Sequence, residues 1–105
     1  MDDNKKHMLL MAAKAAGISH DGAGFISQSG LPINWIPLDD DGDALRLAVK
    51  LEMDLIINAK CGDLGLTSAY YLCGESVAVN RSDDIKSDVR LAITMAAASI
   101  GEKMP

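Results

Sequence analysis

The stretch DLIINAKCGDLGLTSAYYLCGESVAVN, residues 54–80, decides the fold class because it predicts a β-meander. Alternation of apolar and polar side chains is typical of half-buried strands. It marks three strand candidates, residues 54–60, 68–73 and 76–80. Glycine first in a two-residue loop suits a type II′ turn, so Gly74-Glu75 predicts a hairpin between the last two strands. We therefore expect three antiparallel strands, with Val77 and Val79 facing the core.

Helices are predicted at both ends of the chain. The first covers residues 3–16, and Gly17 is placed to take the left-handed conformation after its last turn. The last covers residues 83–101, where apolar side chains recur with helical period for four turns. Ser82 is expected to cap this helix and Gly101 to end it.

A second helix is predicted over residues 40–52. Apolar side chains occupy most of its circumference, and Asp43, Arg46 and Lys50 form a single polar ridge. A helix that is apolar nearly all round is usually buried on more than one side. We therefore expect this helix to be the central one.

Residues 18–38 contain three glycines and two prolines, which exclude a long helix. Their apolar residues predict an irregular hairpin that pairs 24–28 with 33–36 and is packed by Trp35. The whole chain, residues 1–105, is then one α+β domain. Its small, mostly antiparallel sheet of three to five strands packs with three helices, in the order αβ(β)αβββα.

Composition excludes several classes of partner. A net charge of −5 disfavours nucleic acid and anionic membranes, and 4% aromatic residues are too few for a base-stacking platform. No apolar run is long enough to cross a bilayer, and Lys14 interrupts the N-terminal one, so we expect a cytoplasmic protein. Cys61 and Cys73 fit neither a disulfide framework nor a zinc pattern and are expected to be free, partly buried thiols.

The acidic run Asp39-Asp40-Asp41-Gly42-Asp43 is the most prominent motif. A calcium loop of the EF-hand type needs glycine sixth and glutamate twelfth, whereas counting from Asp39 the glycine is fourth and the twelfth residue is Lys50. The favoured interpretation is a helix N-terminus, with one capping aspartate and further acids in the first turn. A weak divalent-metal site and an acidic patch that faces a partner are the alternatives.

Trp35 is the sole tryptophan, and it precedes the second helix. We interpret it as a core residue, with an interface anchor as the alternative. Neither His7 nor His20 has a catalytic partner at a recognisable spacing, and no glycine-rich phosphate motif occurs. No catalytic residue, metal ligand or cofactor is therefore assigned.

The box WIPLDDDGDALRLAVKL, residues 35–51, resembles one found in a family of small proteins of tailed phages and prophages. The resemblance extends to the helix LLMAAKAAGI, residues 9–18, and to the alanine-rich end VRLAITMAAASIGEKMP, residues 89–105. Ile36 departs from the polar residue expected after the tryptophan. The order of elements is similar to the phage ABA-sandwich domain, in which helices flank a sheet. These resemblances imply a phage origin and the bacterial host cytoplasm, but no activity.

The expected function is that of a non-enzymatic phage accessory protein that binds a protein. The partner is either a second copy, giving a homodimer, or a bacterial host protein. Candidate binding residues are Trp35, Asp39, Asp40, Asp41 and Asp43. The alternative is a metal-binding module or metal-dependent enzyme that uses the acidic run at 39–43.

Overall fold

The computed structural model describes residues 3–22, 24–27, 29–57, 66–71, 75–80 and 82–104. Within these ranges the α+β class is confirmed, in the order αβββαβββα. The helices are α1 Asp3–Ala16, α2 Asp41–Lys50 and α3 Ile85–Lys103. The strands form two antiparallel sheets: sheet A of β1 Ser19–His20, β2 Phe25–Ile26 and β3 Pro32–Ile33, and sheet B of β4 Asp54–Ile57, β5 Leu66–Tyr71 and β6 Glu75–Asn80.

Sheet B is the predicted meander. Its register aligns Leu55 with Ala69 and Ala69 with Val77, and these side chains face α3. The adjacent Tyr70 and Tyr71 point to opposite faces, so Tyr71 is 6% exposed and Tyr70 is 37% exposed. Within the described residues, the face of sheet B that points away from α3 is therefore uncovered. The ABA-sandwich resemblance implies helices on both faces of the sheet.

The predicted turn at Gly74-Glu75 is wrong in one respect. Glu75 pairs with Tyr71 and is the first residue of β6, so it belongs to the ladder and not to the loop. Gly74 and both cysteines, Cys61 and Cys73, lie outside the described residues.

The central helix is α3 and not α2, which corrects the sequence prediction. One side of α3 places Ile93 and Ala97 in the cluster that α1 and α2 share, while Ala92 and Ala96 pack against sheet B. On α2 only a narrow stripe is buried, consisting of Ala44, Leu47 and Ala48. Apolar composition alone could not show that sheet B packs on α3 and leaves one flank of α2 uncovered.

Gly101 does not end α3, which continues to Lys103. A Cβ atom at position 101 would lie 1.9 Å from the carbonyl oxygen of Met11 in α1. The glycine therefore permits the backbones of α1 and α3 to approach closely. A sequence pattern does not distinguish a glycine that stops a helix from one at a close crossing.

The ends of α1 and α2 share one geometry. After α1, Gly17 has φ 77°, and the amide of Ile18 donates to the carbonyl of Ala13 at 2.8 Å, which is a Schellman motif. After α2, Glu52 has φ 53°, and Met53 donates to Ala48 at 3.0 Å. The predicted bounds of α1 and the role of Gly17 are confirmed.

Sheet A contains the predicted hairpin, in which Phe25 pairs with Ile33. The two-residue strand β1 adds to it and was not predicted. Trp35 is 7% exposed and lies edge-on to Phe25, with ring centroids 5.1 Å apart. The interpretation of Trp35 as a core residue is confirmed.

Candidate functional site

Asp40, the residue before α2, caps the helix, as the sequence predicts for one aspartate of the run. Asp40 has extended backbone angles, and its Oδ2 accepts a hydrogen bond from the amide of Asp43 at 2.8 Å. This bond satisfies one of the amide groups that the first turn leaves without a partner. The capping interpretation is therefore confirmed for Asp40.

Asp43 connects α2 to the segment that follows Trp35. Its Oδ2 accepts the amide of Ile36 at 2.9 Å, and its Oδ1 accepts from Arg46 at 2.7 Å. Trp35 and Asp43 both line an open groove of about 700 Å³ between sheet A and α2. The structure thus brings these two predicted site residues together, with the Asp43 carboxylate engaged in bonds within the fold.

Asp41 connects α2 to α3. Its Oδ1 accepts from Nη1 of Arg90 at 2.5 Å, while Nε of Arg90 donates to the carbonyl of Leu38 at 2.9 Å. The hydrogen bond to Asp41 raises the pKa of the Arg90 guanidinium, and the charges of Asp84 and Asp39 act in the same direction. Asp39 is exposed and contributes through its charge.

Aspartates also make hydrogen bonds at the start of α3, and one of them is buried. Asp84 is the N-cap and accepts from the amide of Ser87, so the predicted capping role of Ser82 is wrong. Ser82 instead donates its amide and its hydroxyl to the carboxylate of Asp88, at 2.8 and 2.6 Å. Asp88 is only 5% exposed. The pattern S-D-D at residues 82–84 resembles a capping sequence, and this is why Ser82 is predicted to be the cap.

An apolar groove that sequence reasoning missed lies between α2, β4 and α3. It encloses about 220 Å³ and is lined mainly by Leu45, Leu55, Ile57, Ile85, Val89 and Ile93. We call it the α2–β4–α3 groove. Leu45 is 60% exposed, Ile57 is 50% exposed, and Val49, one turn beyond Leu45, is 68% exposed. The sequence feature that could have indicated the groove is the apolar circumference of α2. It predicted instead that α2 is buried inside the domain.

Charged residues of both signs border the α2–β4–α3 groove. Asp41, Lys86 and Arg90 are part of its lining. Asp39 and Asp84 lie close enough to act on Arg90.

Comparison with protein-family models, curated proteins and solved structures finds no match to this chain. Within the described ranges, no group of three or more His, Cys, Asp or Glu side chains is placed to hold a metal ion. In the same part of the chain, no helix combines the length and apolar character needed to cross a membrane.

Proposed function

We propose that this chain is a small phage or prophage accessory protein that binds another protein in the bacterial cytoplasm and has no enzymatic activity. The resemblance of residues 35–51 to the phage family supports the origin. The α2–β4–α3 groove supports the binding role, and it is the observation on which the proposal depends.

The groove presents apolar surface that the fold does not use. Two large exposed apolar side chains, Leu45 and Ile57, line it, and the exposed Val49 lies one helical turn beyond Leu45 on α2. Grouped apolar surface of this kind is typical of protein-binding sites, whereas single exposed apolar residues are not. Covering these half-exposed side chains would contribute roughly 1 kcal/mol each to binding.

In this proposal the acidic run sets the position of the groove wall, and one of its residues, Asp41, is also part of the lining. Asp40 caps α2, and Asp43 fixes the loop after Trp35 to the same helix. Asp41 holds α2 against α3 through Arg90. These bonds set the position of α2, and with it the wall of the groove that carries Leu45.

The test is capture of partners from nuclease-treated bacterial lysate by the tagged full chain, followed by mass spectrometry and by light scattering of the purified protein. We expect one stoichiometric host protein or self-association. Leu45→Glu should remove either, because it places a charge in the groove. Leu31→Glu is the matched control, since Leu31 is 64% exposed on the β2–β3 turn and does not line the groove.

Circular dichroism and thermal melting must show that both variants fold, because an unfolded variant loses every partner. A monomeric protein that recovers only itself would contradict the proposal. Binding that survives Leu45→Glu would place the contact surface elsewhere and would equally contradict it.

A further inference from the structure

The open groove between sheet A and α2 is large enough for a small molecule. We call it the sheet A–α2 groove. It measures about 700 Å³ and shares no lining residue with the α2–β4–α3 groove. The larger part of its wall is apolar and includes Ala16, Ile18, Ile33, Trp35 and Leu47. Phe25 packs edge-on against the Trp35 ring and holds this part of the wall in place. Concave, mostly apolar surfaces of this size are typical of small-molecule sites.

Three charged residues belong to the lining of the sheet A–α2 groove, and two of them are paired with each other. Asp43 accepts from the Ile36 amide with one carboxylate oxygen and from Arg46 with the other. Nη2 of Arg46 also lies 3.9 Å from Oδ2 of Asp40, outside the lining. Lys50, one turn beyond Arg46, is exposed, and among the described residues its ammonium group has no hydrogen bond or ion pair. Lys50 is therefore the charged group that remains available to a ligand.

Hydrogen-bond donors are also available on the sheet A side of this groove. The hydroxyl oxygens of Ser27 and Ser29 are 2.8 Å apart, and that of Ser27 accepts from the amide of Leu31. One hydrogen bond between two hydroxyl groups uses one of their two hydrogens, so the pair can donate the other. The Asp43 carboxylate, in contrast, has a donor on each oxygen. The groove therefore suits a ligand that accepts hydrogen bonds better than one that donates them.

The free ammonium group of Lys50 selects the charge of the ligand. A cation would approach Lys50 while both oxygens of Asp43 are engaged, and a neutral ligand would gain little from Lys50. A phosphate monoester brings close to two negative charges at pH 7, whereas a carboxylate brings one, which matches one free cation. The net charge of −5 opposes any anion at long range, but physiological salt screens charges beyond about 8 Å.

We propose that the sheet A–α2 groove binds a small organic acid with an apolar body and one carboxylate. The apolar body packs against Trp35 and Leu47. The carboxylate accepts hydrogen bonds from Lys50 and from the Ser27–Ser29 pair. This site goes beyond the proposed function, because the two grooves share no lining residue and each is tested without the other.

The experiment screens the purified full chain against small carboxylic acids with aliphatic and aromatic bodies. Each acid is compared with its primary amide, its amine and its phosphate ester. Trp35 is the sole tryptophan and lines the groove, so its fluorescence reports binding. We expect a saturable change with acids, weaker binding of their amides and phosphate esters, and the weakest binding of the amines.

Two pairs of variants locate the ligand, because Trp35 also borders a smaller groove beside α1. Lys50→Gln should weaken binding of the best acid roughly three- to tenfold, and Lys50→Arg should keep most of it. Lys86→Gln is the matched control, since it changes the net charge equally and Lys86 does not line this groove. Ser29→Glu should weaken binding further by placing a negative charge in the groove, whereas Leu31→Glu on the same turn should leave it unchanged.

All four substituted side chains are exposed, and melting temperatures measured beforehand establish that the variants fold. The absence of any acid that binds would overturn the inference. Amides, amines or phosphate esters that bind as tightly as the acids would overturn it as well. So would a loss of affinity in Lys50→Gln no larger than that in Lys86→Gln, or equal losses in Ser29→Glu and Leu31→Glu.

Discussion

The acidic segment 39–43 and the α2–β4–α3 groove differ in how visible they are in the sequence. The segment is contiguous and conspicuous, yet three of its carboxylates make hydrogen bonds within the fold. The groove is assembled from residues between 41 and 93, and its apolar lining residues do not stand out in the sequence. A conspicuous motif can therefore serve folding, while the binding surface is found among side chains that folding leaves uncovered.

The largest expected effect on the free energy of unfolding comes from a comparison of two leucines of α2, one buried and one exposed. Leu47 is 2% exposed and Leu45 is 60% exposed. Leu47→Ala should lower the free energy of unfolding by about 2–5 kcal/mol, because it leaves a cavity in the core. Leu45→Ala should change it by less than about 0.5 kcal/mol. Urea denaturation measures both, and equal losses would mean that Leu45 belongs to the core and that the groove is closed.

The next largest effect on the free energy of unfolding is expected at Asp88, the buried carboxylate among the acids described above. Asp88→Ala removes the acceptor of two Ser82 hydrogen bonds and should lower the free energy of unfolding by about 1.5–3 kcal/mol. Asp83→Ala is the control, because Asp83 is exposed at the same end of α3, and it should cost less than about 0.5 kcal/mol. Denaturant unfolding of the two variants gives the difference, and a loss no larger than the control's would be inconsistent with the account.

The smallest expected effect on the free energy of unfolding concerns the acidic segment 39–43. Asp40→Ala should cost about 0.5–2 kcal/mol, because the Asp43 amide loses its capping acceptor. Asp39→Ala should have little effect on thermal unfolding. Magnesium or calcium should change neither the wild type nor the variants. A cation-dependent rise in melting temperature that Asp41→Asn and Asp43→Asn abolish would instead favour the metal-binding alternative.

Local patterns were sufficient to predict much of the fold. The bounds of α1, the Gly17 cap, the meander of sheet B and the Asp40 cap each depend on neighbouring residues, so periodicity and capping rules could find them. The hairpin around Trp35 was predicted on the same basis, although β1 was missed.

The remaining features depend on contacts between distant parts of the chain. Gly101 permits a close approach to Met11, which no local rule can distinguish from a helix stop. The apolar residues of α2 predicted a central helix, but sheet B packs on α3 and leaves Leu45 and Val49 exposed. The groove was missed for the same reason, since it exists only where α2, β4 and α3 meet.

The most direct test of the account compares recovery of a bound partner by the wild type, Leu45→Glu and Leu31→Glu at equal protein concentration. Unfolding midpoints measured beforehand establish that all three are folded. The account predicts that Leu45→Glu alone loses the partner. Equal recovery by all three would show that the groove is not the binding surface and would contradict the central claim.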